Sequence, residues 1–214
     1  MVELSWSPKM AYAIGLLATD GYLSVDGRHF DLTSKDIEQL ENFRGCLGLK
    51  VKIGWKNSGF SGKCPHIQFG DVRFYKWLLE IGFVQQKTKN IGRLTIPKEF
   101  FFDFLRGHFD GDGSTYAYFD PRWKSSYMVY LTFLSASLPH LYWLKDTIKK
   151  YSGFDGRVGG STRVNQLRYA KYASLGLYKQ MYYDKNVVCL SRKKKKFEEF
   201  VKRAEVEKLV NSQP

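Results

Sequence analysis

Cysteine is scarce in this 214-residue chain: Cys46, Cys64 and Cys189 are all it has. An odd count with no Cys-x-x-Cys pair argues against a disulfide framework and a zinc site, and leaves free thiols suited to a reducing compartment. There are only four histidines, and nothing pairs His29 or His66 with a nucleophile, so these two are expected to meet a partner or solvent and not to act as bases. No apolar run approaches the length of a membrane span. Residues 11–18 come nearest to a secretory core, but only Glu3 and Lys9 carry charge ahead of them and Asp20 ends them. The expectation is an intracellular protein (cytoplasm, nucleoid or organelle matrix), neither secreted nor membrane-bound. Acidic residues are also short, 21 against 34 Lys and Arg, for a net charge of +13. A field of that sign selects phosphate polymers or anionic membranes.

What the chain does have is a repeat. Ala13-Ile-Gly-Leu-Leu-Ala-Thr-Asp20-Gly21 and Leu105-Arg-Gly-His-Phe-Asp-Gly-Asp112-Gly113 both read as the end of an apolar helix, with an aspartate at the end and a glycine just past it. The aspartates are 92 residues apart, Ser34 and Ser135 are 101 apart, and Tyr75-Lys76 and Tyr178-Lys179 are 103 apart. An offset that only grows is what duplication followed by loop insertion leaves behind.

Each copy has the same element order. Pro8 opens a helix that Gly21 stops. Asp26-Gly27 joins two alternating strands as a hairpin. Ser34 caps a helix with Ile37, Leu40 and Phe43 on one face. Val51 and Ile53 alternate with Lys50 and Lys52 in a third strand, and Ile67 and Phe69 with His66 and Gln68 in a fourth. A Gly/Ser/Lys loop, 57–63, joins them, and a helix over about 71–82 closes the unit. The second copy reads as a helix from Pro97 to Asp110, strands at 114–119 and 127–135, a helix from Leu138 to Lys149 carrying Leu138, Leu141 and Leu144, strands at 156–159 and 166–172, and a helix at 174–183. A basic run then opens a last helix of about 193–209. The joint, 84–96, is polar and too short to separate independent domains, so the halves are set at 1–91 and 92–214.

Small residues recur every fourth position in the two motif helices: Ala11, Gly15 and Thr19 in one, Asp103, Gly107 and Gly111 in the other. Glycine inside a helix costs roughly 0.5–1 kcal/mol relative to alanine, and close approach of two helix backbones explains that cost at matched places. If the helices lie side by side and parallel, Asp20 and Asp112 arrive together at C-termini where the macrodipole is already negative. Two such carboxylates with nearby backbone carbonyls make an oxygen-rich site suited to Mg²⁺. A calcium loop at Asp110-Gly-Asp112-Gly-Ser114 fails, because its sixth position is Thr115 and its twelfth is Pro121.

The two nonapeptides resemble the LAGLIDADG motif, and the chain as a whole resembles a monomeric, two-motif LAGLIDADG homing endonuclease. The resemblance implies an α+β fold of tandem αββαββα units, whose two antiparallel four-stranded sheets form a saddle over double-stranded DNA with the motif helices as its seam. It implies that Asp20 and Asp112 hold catalytic Mg²⁺, with Mn²⁺ or Ca²⁺ as substitutes for binding, helped by the carbonyls of Thr19 and Gly111. It places one catalytic lysine in each pocket, Lys87 and Lys193, and a water-positioning side chain at Ser34 and Ser135. It also implies cutting of both strands of a long target to leave short 3′ overhangs.

Strand positions alternating with the core should face DNA. These are Tyr22, Ser24, Asp26, His29, Asp31, Lys50, Lys52, His66 and Gln68 in the first half. In the second they are Ser114, Tyr116, Tyr118, Tyr130, Thr132 and Arg157, with Arg168 and Lys171 in the last strand. Because the halves differ at nearly all of them, the target should be asymmetric. The alternatives are an intron RNA maturase, with its own intron RNA as partner, or a non-cleaving DNA-binding regulator on the same fold. A basic structural protein is a third class.

Overall fold

Ser7 starts the first helix: its Oγ accepts from Met10 N at 3.1 Å, and Pro8 supplies the first turn of α1 (Pro8–Thr19). Every residue from Met10 to Ala18 is buried, as expected of a helix with no polar face. The computed structural model describes residues 1–58, 62–122, 126–160 and 164–211, with side chains through Ala204 and not at Ser58. After α1 come β1 (Gly21–Leu23), β2 (His29–Thr33), α2 (Ile37–Cys46), β3 (Gly54–Ser58), β4 (Gly62–Gly70), α3 (Val72–Glu80) and a single-turn helix, α4 (Lys87–Asn90). The second half runs α5 (Phe101–Asp112), β5 (Ser114–Phe119), β6 (Tyr127–Ser135), α6 (Leu138–Ser152), β7 (Arg157–Gly160), β8 (Asn165–Tyr169), α7 (Lys171–Met181) and α8 (Ser191–Asn211).

The two sheets have one topology. Their strand orders are β1-β2-β4-β3 and β5-β6-β8-β7, antiparallel throughout. The fold is the expected α+β duplication. Phe30, Leu32, Ile67 and Phe69 line the helix-covered face of the first sheet, and Val129, Leu131, Phe133, Leu167 and Tyr169 that of the second. Their alternating neighbours face away from the helices. At the hairpin, Gly27 has φ +72°, a left-handed turn position where glycine is at ease.

Helices α1 and α5 pack against each other through their glycines. A Cβ on Gly15 would lie 2.2 Å from Phe104 O, and one on Gly107 2.0 Å from Tyr12 O. Several buried polar groups in this seam hydrogen-bond one another or the backbone. Fully buried Arg106 donates to Val188 O (2.8 Å), Met181 O (2.6 Å) and Asp103 Oδ1 (2.6 Å). Tyr12 donates its hydroxyl to Asp110 Oδ2 at 2.7 Å.

Several boundaries differ from the sequence reading. The third strand begins at Gly54, where Gly54 pairs with His66 and the β3–β4 ladder ends; Lys50 and Lys52 lie before it, exposed, while Val51 and Ile53 pack against the core from irregular chain. Of the 57–63 loop, 59–61 lie outside the described residues. Asp36 is the N-cap of α2, and Ser34 accepts from Asp36 N (3.1 Å). Ser137 is the N-cap of α6 and likewise donates its N–H to Ser135 Oγ (3.1 Å), so both serines brace a cap instead of being one. The second motif helix starts at Phe101, after a tight 3-10 turn at Lys98–Phe100, and runs on to Asp112. Strand β8 ends at Tyr169, and Lys171 opens α7 because Ala170 is already its N-cap. Ile37 and Leu138 are exposed, and the buried faces of α2 and α6 run instead through Gln39, Leu40 and Phe43, and through His140, Leu141 and Leu144. In both helices a polar residue, Gln39 or His140, is buried while the apolar residue expected inside, Ile37 or Leu138, is exposed, and at Gln39 the reason lies in the site.

Candidate active site and nucleic-acid interface

The ends of α1 and α5 meet. Asp20 caps α1 through its backbone N–H on Leu16 O, and Asp112 is the last residue of α5. A Cβ on Gly111 would lie 1.9 Å from Thr19 Oγ1 and 3.0 Å from Asp20 Oδ2, so only glycine lets the second helix end pass this close. The carboxyl of Asp20 is pushed up to about 6, chiefly by burial and then by repulsion from Asp112, against the pull of Gln39, Lys193 and Lys87. Burial also raises Asp112, although its side chain reaches solvent, and Lys87 and Lys193 pull it back.

One lysine sits at each helix end. Lys87 Nζ donates to Ala18 O (3.0 Å) and Thr19 O (2.6 Å). Lys193 Nζ donates to Phe109, Gly111 and Gly113 O, each at 2.8 Å. Ammonium groups there satisfy terminal carbonyls and suit the negative end of the helix dipole. Burial lowers each lysine to about 8, opposed by the nearby carboxylates. The structure thus brings Asp20, Asp112, Lys87 and Lys193 to one place, with the carbonyls of Thr19 and Gly111 already accepting from the lysines.

Gln39 is the residue that sequence reasoning missed. Its Nε2 donates to Asp20 Oδ2 at 2.6 Å, and its Oε1 accepts from Ser34 Oγ at 3.2 Å. A glutamine in the buried stripe of α2 was the available signal. His140 holds the matching place in the second half, 101 residues on, but turns to Gly92 O (Nδ1, 2.8 Å) and stacks on His108 with centroids 5.3 Å apart. Burial holds both rings neutral. Among the described residues Asp112 has no hydrogen-bond partner, so the two carboxylates are unequally held.

The donor set fits a hard divalent cation. Among the described residues no group of three or more His, Cys, Asp and Glu comes together, so the protein does not offer a full cage. Magnesium does not need one, since it is commonly held by one or two carboxylates, waters and phosphate oxygens. The charges also cost stability, with a definite pH dependence. Stability from Asp20 is complete below its ordinary range near 4 and lost as pH rises through about 6. Stability from Lys87 and Lys193 is complete above their ordinary range and lost as pH falls through about 8. Asp20 and the two lysines are therefore charged together, and most costly, between about 6 and 8. At pH 7 without divalent ions, the Asp20→Asn/Asp112→Asn double variant should melt roughly 2–6 °C above the parent protein. Mg²⁺ or Ca²⁺ should raise the parent's Tm and leave the variant's unchanged, as read by calorimetry.

The helix-free faces of the sheets carry most of the expected contact residues. In the first, Asp31 accepts from Lys56 Nζ (2.6 Å) and Thr33 Oγ1 (2.8 Å), with His66 Nδ1 2.8 Å away. Lys56, not foreseen, takes the place expected for Lys50 and Lys52. Tyr22 and Gln68 flank Asp31 in register and are exposed. Ser24 and Asp26 lie in the hairpin turn, where Asp26 accepts from Arg28 N and His29 N (3.0 Å each). In the second sheet Tyr116 stacks on Tyr130 (4.9 Å, 13°) and Tyr118 (6.4 Å, 4°). The guanidinium of Arg168 lies 5.5 Å over the Tyr130 ring and donates to Tyr116 Oη at 3.1 Å. Ser114 and Arg157 are exposed beside this cluster. Thr132 is a correction: it is buried, enclosed on a central strand between Ser114 and Arg168. Lys171, on α7, is off the strand altogether.

No protein-family model and no curated protein matches the chain. Solved structures do. Full-length DUF199/WhiA from Thermatoga maritima aligns at TM-score 0.62 and 15% identity over 96% of this chain, which spans 63% of that longer protein. The I-LtrWI LAGLIDADG homing endonuclease bound to target DNA aligns at TM-score 0.64 and 12% identity, covering 94% of this chain and 91% of that one. The LAGLIDADG meganuclease I-AabMI bound to uncleaved DNA aligns at 0.61 and 14%, covering 95% and 92%. At these identities the likeness is one of architecture, and the chain has the fold of the LAGLIDADG homing endonucleases.

Proposed function

We propose that this protein is a site-specific endonuclease that makes double-strand breaks in a long, asymmetric DNA target, using divalent cations, Mg²⁺ in the first place, held at Asp20 and Asp112. The observation that carries this reading is the twin helix end: two carboxylates that repel each other at negative dipole ends, each end with a lysine donating to its terminal carbonyls. A protein that only binds phosphates gains nothing from two carboxylates facing them. When bound, the metal would supply Lewis acidity and a more acidic water for phosphodiester hydrolysis. Gln39 orients the Asp20 carboxylate, and Ser34 orients Gln39. Lys87 and Lys193 stand ready to offset charge developing on a phosphate. The chain acts as a monomer whose halves, 1–91 and 92–214, each address one side of the target.

The helix-free sheet faces supply base and phosphate contacts, and a two-stranded ribbon fits the major groove. Arg168, held by Tyr116 and Tyr130, is suited to the O6 and N7 of a guanine. Arg168→Ala should cost about 1–3 kcal/mol in target affinity and relax base preference at a single position, as measured by binding to a set of single-base variants.

A second reading, a nucleic-acid binder that does not cut, is kept because WhiA shares this fold without being described as an endonuclease. Selection of cleaved molecules from a randomised duplex library, in Mg²⁺ and in EDTA, separates the two. Breaks in both strands with short 3′ overhangs, present in Mg²⁺ only, are expected. Tight binding to selected DNA or to intron RNA with no cutting in Mg²⁺ would establish the second.

A further inference from the structure

Lys87 and Lys193 occupy matching pockets, but they are held in place differently. Lys87 sits on α4, just after Gln86 at φ +52°, and the neighbouring Gln85 is tied within its own half, to Tyr75 Oη (3.0 Å) and Val25 O (3.4 Å). Lys193 lies in the first turn of α8, and the chain leading into that turn is tied to the other half. Cys189 O accepts from Asn42 Nδ2 at 2.9 Å. Ser191 N donates to both carboxylate oxygens of Glu38 at 3.1 Å, and Ser191 Oγ donates to Glu38 Oε1. Arg192 Nε and Nη2 grip Asp36 Oδ1 (2.8 Å) and Oδ2 (2.6 Å) as a two-pronged pair. The motif helix α5 holds the same segment at two points, Leu190 N on Asp110 Oδ2 (2.7 Å) and Val188 O on Arg106 Nε (2.8 Å).

The chemistry of this clasp is that of a helix cap supplied from elsewhere in the molecule. The first N–H groups of a helix lack intrahelical partners, and a carboxylate next to them is favoured by the dipole. Glu38 serves α8 in this way from the first turn of α2, while Asp36, the N-cap of α2, holds the Arg192 side chain. The bidentate geometry of Arg192 on Asp36 adds directional constraint beyond charge. Lys193 follows within two residues of both anchors, so the direction of its side chain toward the end of α5 depends on where α2 holds the helix start.

We propose that Glu38 and Asp36 are positioning residues for Lys193: the first half of the molecule sets the lysine of the second half's pocket, so that this pocket is complete only when the two halves are docked. The inference rests on the endonuclease reading for its consequence, which is strand-specific. Loss of the clasp disturbs one pocket and leaves Lys87, with its own local ties, in place.

The test uses the full chain with a duplex of selected target sequence, each strand labelled separately, in Mg²⁺. In Glu38→Ala, the rate of cutting one strand should fall at least about tenfold while the other stays within about twofold, and nicked DNA should accumulate. DNA affinity should hold within about threefold. Glu38→Gln, which keeps an acceptor for Ser191, should recover most of the lost rate. The exchange Asp36→Arg/Arg192→Asp should do better than either single change. Equal slowing of both strands, or no slowing of either, overturns the proposal. A second readout needs no cleavage: acetylation of each lysine by acetic anhydride, followed by mass spectrometry. Lys193 should react at least about fivefold faster in Glu38→Ala than in the parent, with Lys87 unchanged; an unchanged Lys193 overturns the proposal. A parent protein that cuts neither strand defeats the endonuclease reading, while the labelling still decides the clasp.

Discussion

Asp20→Asn and Asp112→Asn should each abolish double-strand cutting, by at least about three orders of magnitude, or about 4 kcal/mol at the transition state, and should keep DNA affinity within about threefold. The substitution preserves size and, at position 20, an oxygen that still accepts from Gln39 Nε2. What it removes is negative charge at a helix end that already repels it. That charge is the reason a cation would sit there, and losing one carboxylate halves the negative charge the two motif aspartates offer it. Binding survives because affinity for DNA comes mainly from basic side chains meeting phosphate, and a neutral amide repels phosphate less than a carboxylate does. The paired measurement is a gel-shift titration and a plasmid cleavage time course on the selected target. Cutting at the parent's rate in either variant would remove the metal assignment, whatever the binding data show.

The parts of this fold legible in the sequence are those fixed by short-range rules. Helix α1 is announced by Pro8 and Gly21, and the first hairpin by Asp26-Gly27, because caps and turns act through adjacent backbone. The duplication was legible because matched glycines and aspartates carry a cost that chance would not repeat. What escaped depends on contacts between distant segments. Val51 and Ile53 alternate as a strand would, yet the ladder stops at Gly54 because pairing is set by β4. Ile37 and Leu138 fit the apolar period better than Gln39 and His140, but burial went to the polar residues. For Gln39 the contact with Asp20, 19 residues away, explains the choice. Lys56 is hidden in the sequence because the alternating run lies at 50–53, while the strand that carries it begins at Gly54. The site was legible as chemistry, two carboxylates and two lysines, while the side chains that orient them became visible only in three dimensions.

The second large effect concerns the seam. Gly107→Ala should lower stability by at least about 2 kcal/mol, and the Gly15→Ala/Gly107→Ala double variant should fail to fold cooperatively. By helix propensity alone each change would help by roughly 0.5–1 kcal/mol. The added methyl decides otherwise, since at Gly107 it would lie 2.0 Å from Tyr12 O and 2.9 Å from Tyr12 C, and at Gly15 2.2 Å from Phe104 O and 2.6 Å from His108 N. These are backbone atoms in the centres of two buried helices, so no side chain can rotate away and the helices themselves must separate. Overpacking of this kind costs about 1–3 kcal/mol or more per site, and separation also strains the bond between the Tyr12 hydroxyl and Asp110. Gly45, in α2, is the control: nothing lies within 4 Å of its added Cβ, so Gly45→Ala should stabilise by about 0.5–1 kcal/mol. Chemical denaturation of the three proteins separates the two ideas. If Gly107→Ala were as stable as Gly45→Ala, the backbones would not be in close contact, and the pairing of Asp20 with Asp112 would lose its structural cause.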